Sequence, residues 1–139
     1  MITLADYYQG RDTLFWQLLG TDLRTNAGRT VETANALLVL AKGGGVVMRP
    51  NHRTGMVRSG WRPPMINETT PGAAKKSLHL TCQAIDLEDP QHELSVWCFH
   101  HADTVLRDIG LWLEHPDKTP TWCHVQLKPP ASGRRVFFP

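Results

Sequence analysis

Two stretches of alternating polar and apolar residues constrain the fold most, because this period is typical of a strand with one buried face. Residues 81–88 place Asp86 between apolar neighbours, and residues 122–128 do the same for His124. Ile85 and Leu87 share one face while Ala84, Asp86 and Glu88 share the other, and Cys123, Val125 and Leu127 alternate in the same way with Trp122, His124 and Gln126. The sequence therefore predicts two half-buried strands that present Asp86 and His124 on their polar faces.

His79 completes a group of residues with metal-binding chemistry. Two histidines and one carboxylate are the ligand set of a catalytic zinc site, which keeps a fourth position open for water. Such a zinc ion polarises a carbonyl and lowers the pKa of its bound water to about 7. His79 precedes Asp86 by seven residues, an odd offset that would direct the two side chains to opposite faces of an unbroken strand. We therefore expect a turn or bulge at residues 80–83 that brings His79 back towards Asp86 and His124.

Size and composition indicate one globular domain spanning residues 1–139. The hydrophobic fraction of 41% and the charged fraction of 20% are typical of a protein with an ordinary core. A net charge of +2 is too small to indicate a nucleic-acid partner. No apolar run approaches the length of a transmembrane helix, so no membrane partner is predicted. We also expect a monomer. The three cysteines lack a CxxC spacing and are predicted to be free, buried thiols.

The periodicity of the remaining segments favours an α+β fold. A long helix is predicted over residues 21–41, where apolar residues recur at steps of three and four, and the glycines at 43–45 end it. Short strands surrounded by helices, with antiparallel neighbours at 110–115 and 122–128, indicate a small, mainly antiparallel sheet flanked by helices. The other predicted helical segments are 3–8, 12–19, 72–76, 91–101 and 103–109, and the other predicted strands are 46–50, 56–62 and 134–138.

Linked motifs across the chain resemble those of a known enzyme family. Ser77-x-His79-x6-Asp86 is followed by Trp122-x-His124 and preceded by Ser59-Gly60-Trp61-Arg62. This order resembles that of the zinc D-alanyl-D-alanine carboxypeptidases and related cell-wall endopeptidases, a Hedgehog/D-Ala-D-Ala peptidase-like family with small phage-type members. The resemblance covers about residues 57–128. It implies a zinc cleft on the face of the sheet and peptidoglycan stem peptides as substrates.

The resemblance also implies roles for individual residues. The implied zinc ligands are His79, Asp86 and His124. Arg62 would pair with a substrate carboxylate or with the carbonyl under attack, because a planar guanidinium can hold two oxygens at once. Ser77 would hydrogen-bond to the substrate, and Trp122 is a candidate wall of the substrate cleft.

Two positions depart from the family pattern. Cys82 stands where the family commonly has a glycine, so the cysteine would be strained if that position requires a positive φ. Thr121 stands where many members carry an acidic general base, and a threonine cannot take a proton in that way.

Glu114 is the first candidate for replacing the missing base. If the two C-terminal strands form a hairpin, Glu114 lies opposite Trp122, on the face that carries His124. Asp117 and His115 are the second candidates.

Three functional interpretations are open from the sequence. The first is a zinc metallopeptidase that hydrolyses peptide bonds in bacterial peptidoglycan stem peptides, as a D-Ala-D-Ala carboxypeptidase or a related endopeptidase. The second is a zinc-containing cell-wall-binding or virion structural module without catalysis, which Thr121 favours. The third is a closed structural zinc site with Cys82 or Cys123 as the fourth ligand. The N-terminus lacks a basic region followed by an apolar one, so we expect a protein that is cytoplasmic before release and then acts on the cell wall, as a phage-encoded or virion-associated protein would.

Overall fold

The N-terminal part of the molecule is helical in the computed structural model, which describes residues 1–139. Its elements are α1 (Leu4–Tyr8), α2 (Arg11–Leu14), a 3-10 turn (Trp16–Leu18) and α3 (Thr21–Gly43). Helix α1 begins with a capping box in which the side chains of Thr3 and Asp6 each accept the other's backbone N–H. The buried positions of α3 recur at steps of three and four, so one face of this helix packs against the rest of the protein.

A five-stranded sheet forms the second layer. Its strands are β1 (Val57–Ser59), β2 (Ala84–Glu88), β3 (Trp112–Glu114), β4 (Trp122–Gln126) and β5 (Val136–Phe137). Their order across the sheet is β1-β2-β4-β3-β5. All neighbours are antiparallel except β3 and β5, which are parallel. The predicted α+β fold with a mainly antiparallel sheet flanked by helices is thereby confirmed.

The remaining helical elements connect the strands. They are α4 (Pro64–Thr69), α5 (Glu93–His100), a π-helical segment (Ala102–Leu106), α6 (Arg107–Ile109) and a 3-10 turn (Pro116–Lys118). Gly110 follows α6 with a φ of 77°, a left-handed conformation that glycine adopts without steric cost and that ends the helix. The sequence predicted both helical regions between β2 and β3, and the glycine that ends the second.

The core lies between the apolar face of the sheet and the helices. Ile85 and Leu87 from β2, and Cys123 and Val125 from β4, are all buried in one hydrophobic cluster together with the inward face of α3. Alternate residues of the same strands are therefore turned to the opposite face, as the period of two in the sequence indicated. All three cysteines are buried and free, as predicted.

Four predicted segments differ from the observed ones. Residues 46–50 form no strand, and residues 72–76 form turns rather than a helical turn. The helix predicted over 12–19 is divided into α2 and a 3-10 turn, and the strand predicted over 56–62 covers only 57–59. The short apolar run in the first of these segments favours a strand. It forms none because the fold has no neighbouring strand that could pair with it.

No helix of this fold combines the length and the apolar character needed to cross a bilayer.

Candidate metal centre

The pairing of β2 with β4 brings the first two predicted ligands together. Asp86 and His124 are direct cross-strand partners in this antiparallel pair, so their side chains leave the same face of the sheet a few ångströms apart. The imidazole Nδ1 of His124 lies 2.7 Å from Oδ1 of Asp86. Both side chains are largely buried, with exposed fractions of 12% for His124 and 13% for Asp86. The predicted polar faces of the two strands are therefore the walls of one site.

A tight turn before β2 brings in the third predicted ligand. Residues 77–82 form consecutive turns, and the backbone N–H of Gln83 donates to the carbonyl of Leu78 at 2.9 Å. Cys82 has a φ of 58°, a left-handed conformation that costs a non-glycine residue about 1–2 kcal/mol. The expected reversal near residues 80–83 is present, and the strain expected of a cysteine at this position is present with it.

Helix α3 holds this turn in place from the other side. The hydroxyl of Thr30 donates to the carbonyl of Cys82 at 2.7 Å, and the amide of Asn26 donates to the carbonyl of Thr81 at 3.0 Å. Both bonds satisfy carbonyls of a strained turn that has no strand partner, so they offset part of its conformational cost. The helix therefore positions the site as well as filling the core.

One nitrogen of His79 is taken by the backbone, and the other faces Asp86. Nδ1 lies 2.7 Å from the carbonyl oxygen of Gly60, and because a carbonyl only accepts, Nδ1 carries the proton. Burial lowers the pKa of His79, although the charge of Asp86 opposes this, which favours the form of the ring in which Nε2 carries a lone pair. This buried Nε2 has no hydrogen-bond partner, although it lies 3.3 Å from Oδ2 of Asp86.

His124 is held in the same manner by a side chain from its own strand. The amide nitrogen of Gln126 donates to the carbonyl of Lys128 at 2.8 Å, which leaves its oxygen facing Nε2 of His124 at 3.1 Å. At 2.7 Å Nδ1 of His124 donates to the carboxylate of Asp86, which can only accept, and a bound metal ion would replace that proton. Burial alone would lower the pKa of His124, but the hydrogen bond and charge of Asp86 outweigh it and raise that pKa.

The carboxylate of Asp86 is the electrostatic centre of the group. Burial alone would raise its pKa, but the two imidazoles outweigh this effect and hold the pKa well below its usual range. A carboxylate that stays charged in a nearly buried position requires positive charge beside it.

These three side chains fit a metal ion. One ligand atom from each of His79, Asp86 and His124 lies within 4.8 Å of the other two. Nε2 of His79 is buried 3.3 Å from the carboxylate of Asp86 without a hydrogen-bond partner, and a cation bound by both groups would remove the cost of that unpaired atom. Acceptors on the outer nitrogens, which orient both rings, are also typical of histidine metal ligands. The group can therefore hold a metal ion.

Glu114 lies beside this group without belonging to it. In the β3–β4 pair, Trp112 is opposite Gln126 and Leu113 is opposite Val125. Continuing that register places Glu114 opposite His124, so the predicted pairing with Trp122 is wrong by two residues. Because a shift of two keeps the face, Glu114 still points into the site.

The carboxylate of Glu114 is close enough to act on whatever binds there. Its Oε2 lies 4.0 Å from Nδ1 of His124, and its side chain is only 17% exposed. Burial raises the pKa of Glu114, against the opposing charge of His124. The carboxylate is thus the nearest acidic group outside the ligand set.

Arg62 and Ser77 lie beside the turn that carries His79. Arg62 is buried, its Nη2 donates to Oγ of Ser77 at 3.2 Å, and its backbone N–H donates to the carbonyl of His79 at 3.1 Å. Its Nε has no partner. Burial lowers the pKa of Arg62 while the negative charge of Asp86 raises it. A guanidinium with free donors is therefore held next to the ligand group.

Thr121 and Trp122 lie at the rim of the same face. The hydroxyl of Thr121 accepts from Nη1 of Arg58 at 2.7 Å, and the guanidinium carbon of Arg58 lies 4.8 Å above the ring of Trp122. Position 121 thus contributes a hydroxyl to this rim, and the acidic residue beside it is Glu88, the cross-strand partner of Trp122.

The second candidates for the base are not brought to the ligand group. Nδ1 of His115 accepts from the backbone N–H of Asp117 at 3.2 Å, and the side chain of Asp117 is 79% exposed. Neither cysteine considered as a fourth ligand joins the group. Cys123 faces the core on the side of β4 opposite to His124, and burial raises the pKa of Cys82 to about 12.

Four positioning residues were missed in the sequence analysis. They are Asn26, Thr30, Gly60 and Gln126. Only Gln126 had a local signal, because it follows His124 by two residues and therefore shares its strand face. The contacts of the others join residues 19 to 55 positions apart in the chain.

Comparisons of the chain with protein-family models, with curated proteins and with solved structures found no match.

Proposed function

We propose that this protein is a zinc metallopeptidase that hydrolyses peptide bonds in bacterial peptidoglycan stem peptides, as a D-Ala-D-Ala carboxypeptidase or a related endopeptidase. One observation carries the proposal. Nε2 of His79 and Nδ1 of His124 converge on the carboxylate of Asp86, while the other nitrogen of each ring is held by an acceptor. The substrate class comes from the resemblance of the linked motifs.

Zinc suits this donor set because two imidazoles and one carboxylate leave one of its four positions open. When bound, the ion would supply a Lewis acid and would lower the pKa of a water molecule. Two neutral nitrogen donors also favour zinc over magnesium or calcium, which prefer sites built from oxygen ligands.

Glu114 supports a hydrolytic function because its carboxylate can accept a proton. The hydroxyl of Thr121 cannot act as a general base. Its Oε2 would take a proton from the attacking water and later return it to the leaving amine. The 4.0 Å distance to Nδ1 of His124 leaves Oε2 next to the reacting centre. The base would thus come from β3, whereas the family pattern has an acidic residue three positions before the last histidine.

Arg62 would stabilise the negative charge that develops on the substrate. Its buried guanidinium has unused donors, including Nε, and it is charged at every physiological pH. Such a group can bind the carbonyl oxygen under attack or a terminal carboxylate of the peptide. Ser77 orients Arg62 through its hydroxyl.

The decisive experiment measures zinc and turnover on the same samples. We expect purified protein to bind one zinc ion per chain and to release amino acids or shorter peptides from peptidoglycan stem peptides, detected by mass spectrometry. Glu114→Gln should lower kcat by about 10²–10⁴-fold, the range for loss of a general base, with zinc content unchanged.

Asp117→Asn is the matched control because it neutralises a neighbouring carboxylate that is 79% exposed. This variant should keep full activity. Stoichiometric zinc without any cleavage of stem peptides would refute the hydrolase.

A second candidate function is a zinc-containing cell-wall-binding or virion structural module without catalysis. The threonine at position 121, where the family pattern has an acid, favours it. In that case the wild-type protein and the Glu114→Gln variant would sediment with purified cell walls to the same extent. Neither protein would hydrolyse stem peptides.

A further inference from the structure

We propose that Arg58 and Trp122 form a subsite that binds a carboxylate group of the peptide, one or two residues from the bond that is cut. This inference rests on the proposed peptidase function and adds a substrate feature to it, namely an acidic residue beside the scissile bond.

The guanidinium of Arg58 is fixed by two contacts. Its carbon lies 4.8 Å above the ring of Trp122, and its Nη1 donates to Oγ1 of Thr121 at 2.7 Å. A guanidinium held over an indole ring and bonded at one nitrogen has a restricted position, and its remaining N–H edges can meet a planar carboxylate. The group is thus oriented before any ligand arrives, which reduces the entropic cost of binding.

Most donors of this guanidinium are unused. Arginine has five N–H donors, and Arg58 directs only one side-chain hydrogen bond, to Thr121, at another protein group. It forms no ion pair, although Glu88 is the cross-strand partner of Trp122. The side chain is exposed, so its free N–H edges are open to a ligand.

The position of this pair matches a subsite next to the reacting centre. Trp122 and His124 are two residues apart on the same face of β4, a separation of about 7 Å along a strand. Arg58 precedes Ser59, whose partner in β2 is Asp86. An extended peptide advances about 3.3 Å per residue, so a group held at Arg58 belongs to a residue one or two positions from the scissile bond.

A second arginine–tryptophan pair shows what a structural role looks like here. The guanidinium of Arg135 lies 4.2 Å above Trp112, and its Nη1 donates to the carbonyl of Leu111 at 3.0 Å. Arg135 is partly buried and tied to the backbone, so it joins β5 to β3. Arg58 instead donates its one side-chain hydrogen bond to an exposed hydroxyl. A ligand can share or replace that contact.

The test uses two stem-type peptides that differ only in their side-chain acids. In the first, the residues within two positions of the scissile bond on either side have free side-chain carboxylates, and in the second these groups are carboxamides. We expect the wild-type protein to prefer the carboxylate peptide about tenfold in KM and in Kd, the size of one exposed charge-assisted contact. Arg58→Gln should lose this preference.

Arg135→Gln is the matched control because it removes the other stacked guanidinium and should keep the tenfold preference. Melting temperatures of all three proteins identify any loss of folding. An equal preference in wild type and Arg58→Gln would overturn the subsite, as would no preference in wild type.

Failure of the peptidase proposal is distinguishable from failure of the subsite. If neither peptide is cleaved, the zinc-loaded protein is titrated with both peptides by calorimetry. A tenfold difference in Kd that Arg58→Gln removes supports the carboxylate subsite even then, and equal Kd values reject it.

Discussion

Histidines gather in two regions of this molecule, and only one region has the geometry of a metal site. A cleft between the C-terminal end of α3 and α5 is lined by His92, His100 and His101. The face of the sheet has only two histidines, His79 and His124, together with Asp86. A count of histidines would favour the cleft, and the arrangement of their ring nitrogens favours the sheet.

The ring nitrogens of the cleft histidines serve the local backbone. Nε2 of His92 donates to the carbonyl of Pro116 at 2.9 Å, and Nδ1 of His101 donates to the carbonyl of Trp97 at 2.8 Å. The ring of His101 also stacks on Trp97 with centroids 4.2 Å apart. These two imidazoles complete hydrogen bonds and packing, and the carboxylate that lines this cleft, Glu93, pairs with Arg49 at 3.1 Å.

On the sheet face the acceptors occupy only the outer nitrogens. Gly60 and Gln126 take one nitrogen of each ring, and the remaining two nitrogens meet at a carboxylate. A metal site therefore depends on ring nitrogens that converge and on what holds the opposite side of each ring.

Removing a ligand should separate the two regions most sharply. His79→Ala and Asp86→Ala should each weaken zinc binding by at least about a hundredfold, because a few ligands share the 10–16 kcal/mol that zinc sites typically supply. His101→Ala, in the cleft, should leave zinc affinity unchanged. Competition with a chromophoric chelator measures all three. Retained affinity in Asp86→Ala, or a loss in His101→Ala, would reverse the comparison.

The carbonyl of Gly60 offers a second test, through the backbone. A Cβ at this position would overlap the carbonyl oxygen of Tyr7, so Gly60→Ala should lower the free energy of unfolding by about 3 kcal/mol and shift the group that holds His79. Gly28→Ala is the control: its Cβ would meet nothing within 4 Å, and it lies within α3. This control should gain up to about 1 kcal/mol. Urea unfolding of both variants gives the comparison, and equal stabilities would contradict it.

Gln126 offers the smallest and most specific test. Gln126→Ala should weaken zinc binding by about 10–100-fold, the usual effect of losing a group that orients a histidine ligand. Gln126→Glu keeps an acceptor for Nε2 of His124 and should recover most of the affinity. Gln91→Ala, an exposed residue of the histidine cleft, should change nothing. The ¹⁵N shifts of His124 report its tautomer, and an unchanged tautomer in Gln126→Ala would remove Gln126 from this role.

The strands of the site followed from local periodicity, and so did part of its geometry. The alternation around Asp86 and His124 identified both polar faces, and the odd spacing from His79 required the turn that is present. The register of Glu114 was wrong because the turn between β3 and β4 was placed one residue too early. Its face was right because a shift of two preserves side-chain direction.

The support of the site was beyond reach of the sequence for a physical reason. The contacts of Thr30 with Cys82 and of Asn26 with Thr81 join parts of the chain 52 and 55 residues apart, and no period or motif predicts such a contact. The same holds for Gly60, whose importance lies in the close approach of Tyr7. The strand predicted at 46–50 is absent because apolar character alone does not provide a neighbouring strand to pair with.

The hydroxyl bond from Thr30 to Cys82 has a consequence for the order of events during folding. It spans 52 residues, and the contact between Asp86 and His124 spans a further 38. Closing such long loops costs conformational entropy before the contacts that offset this cost have formed. During synthesis on the ribosome the first histidine ligand would be anchored to the early helix well before the second is made. A metal ion would then bind to a chain that is already largely folded. It would stabilise the completed fold rather than start folding.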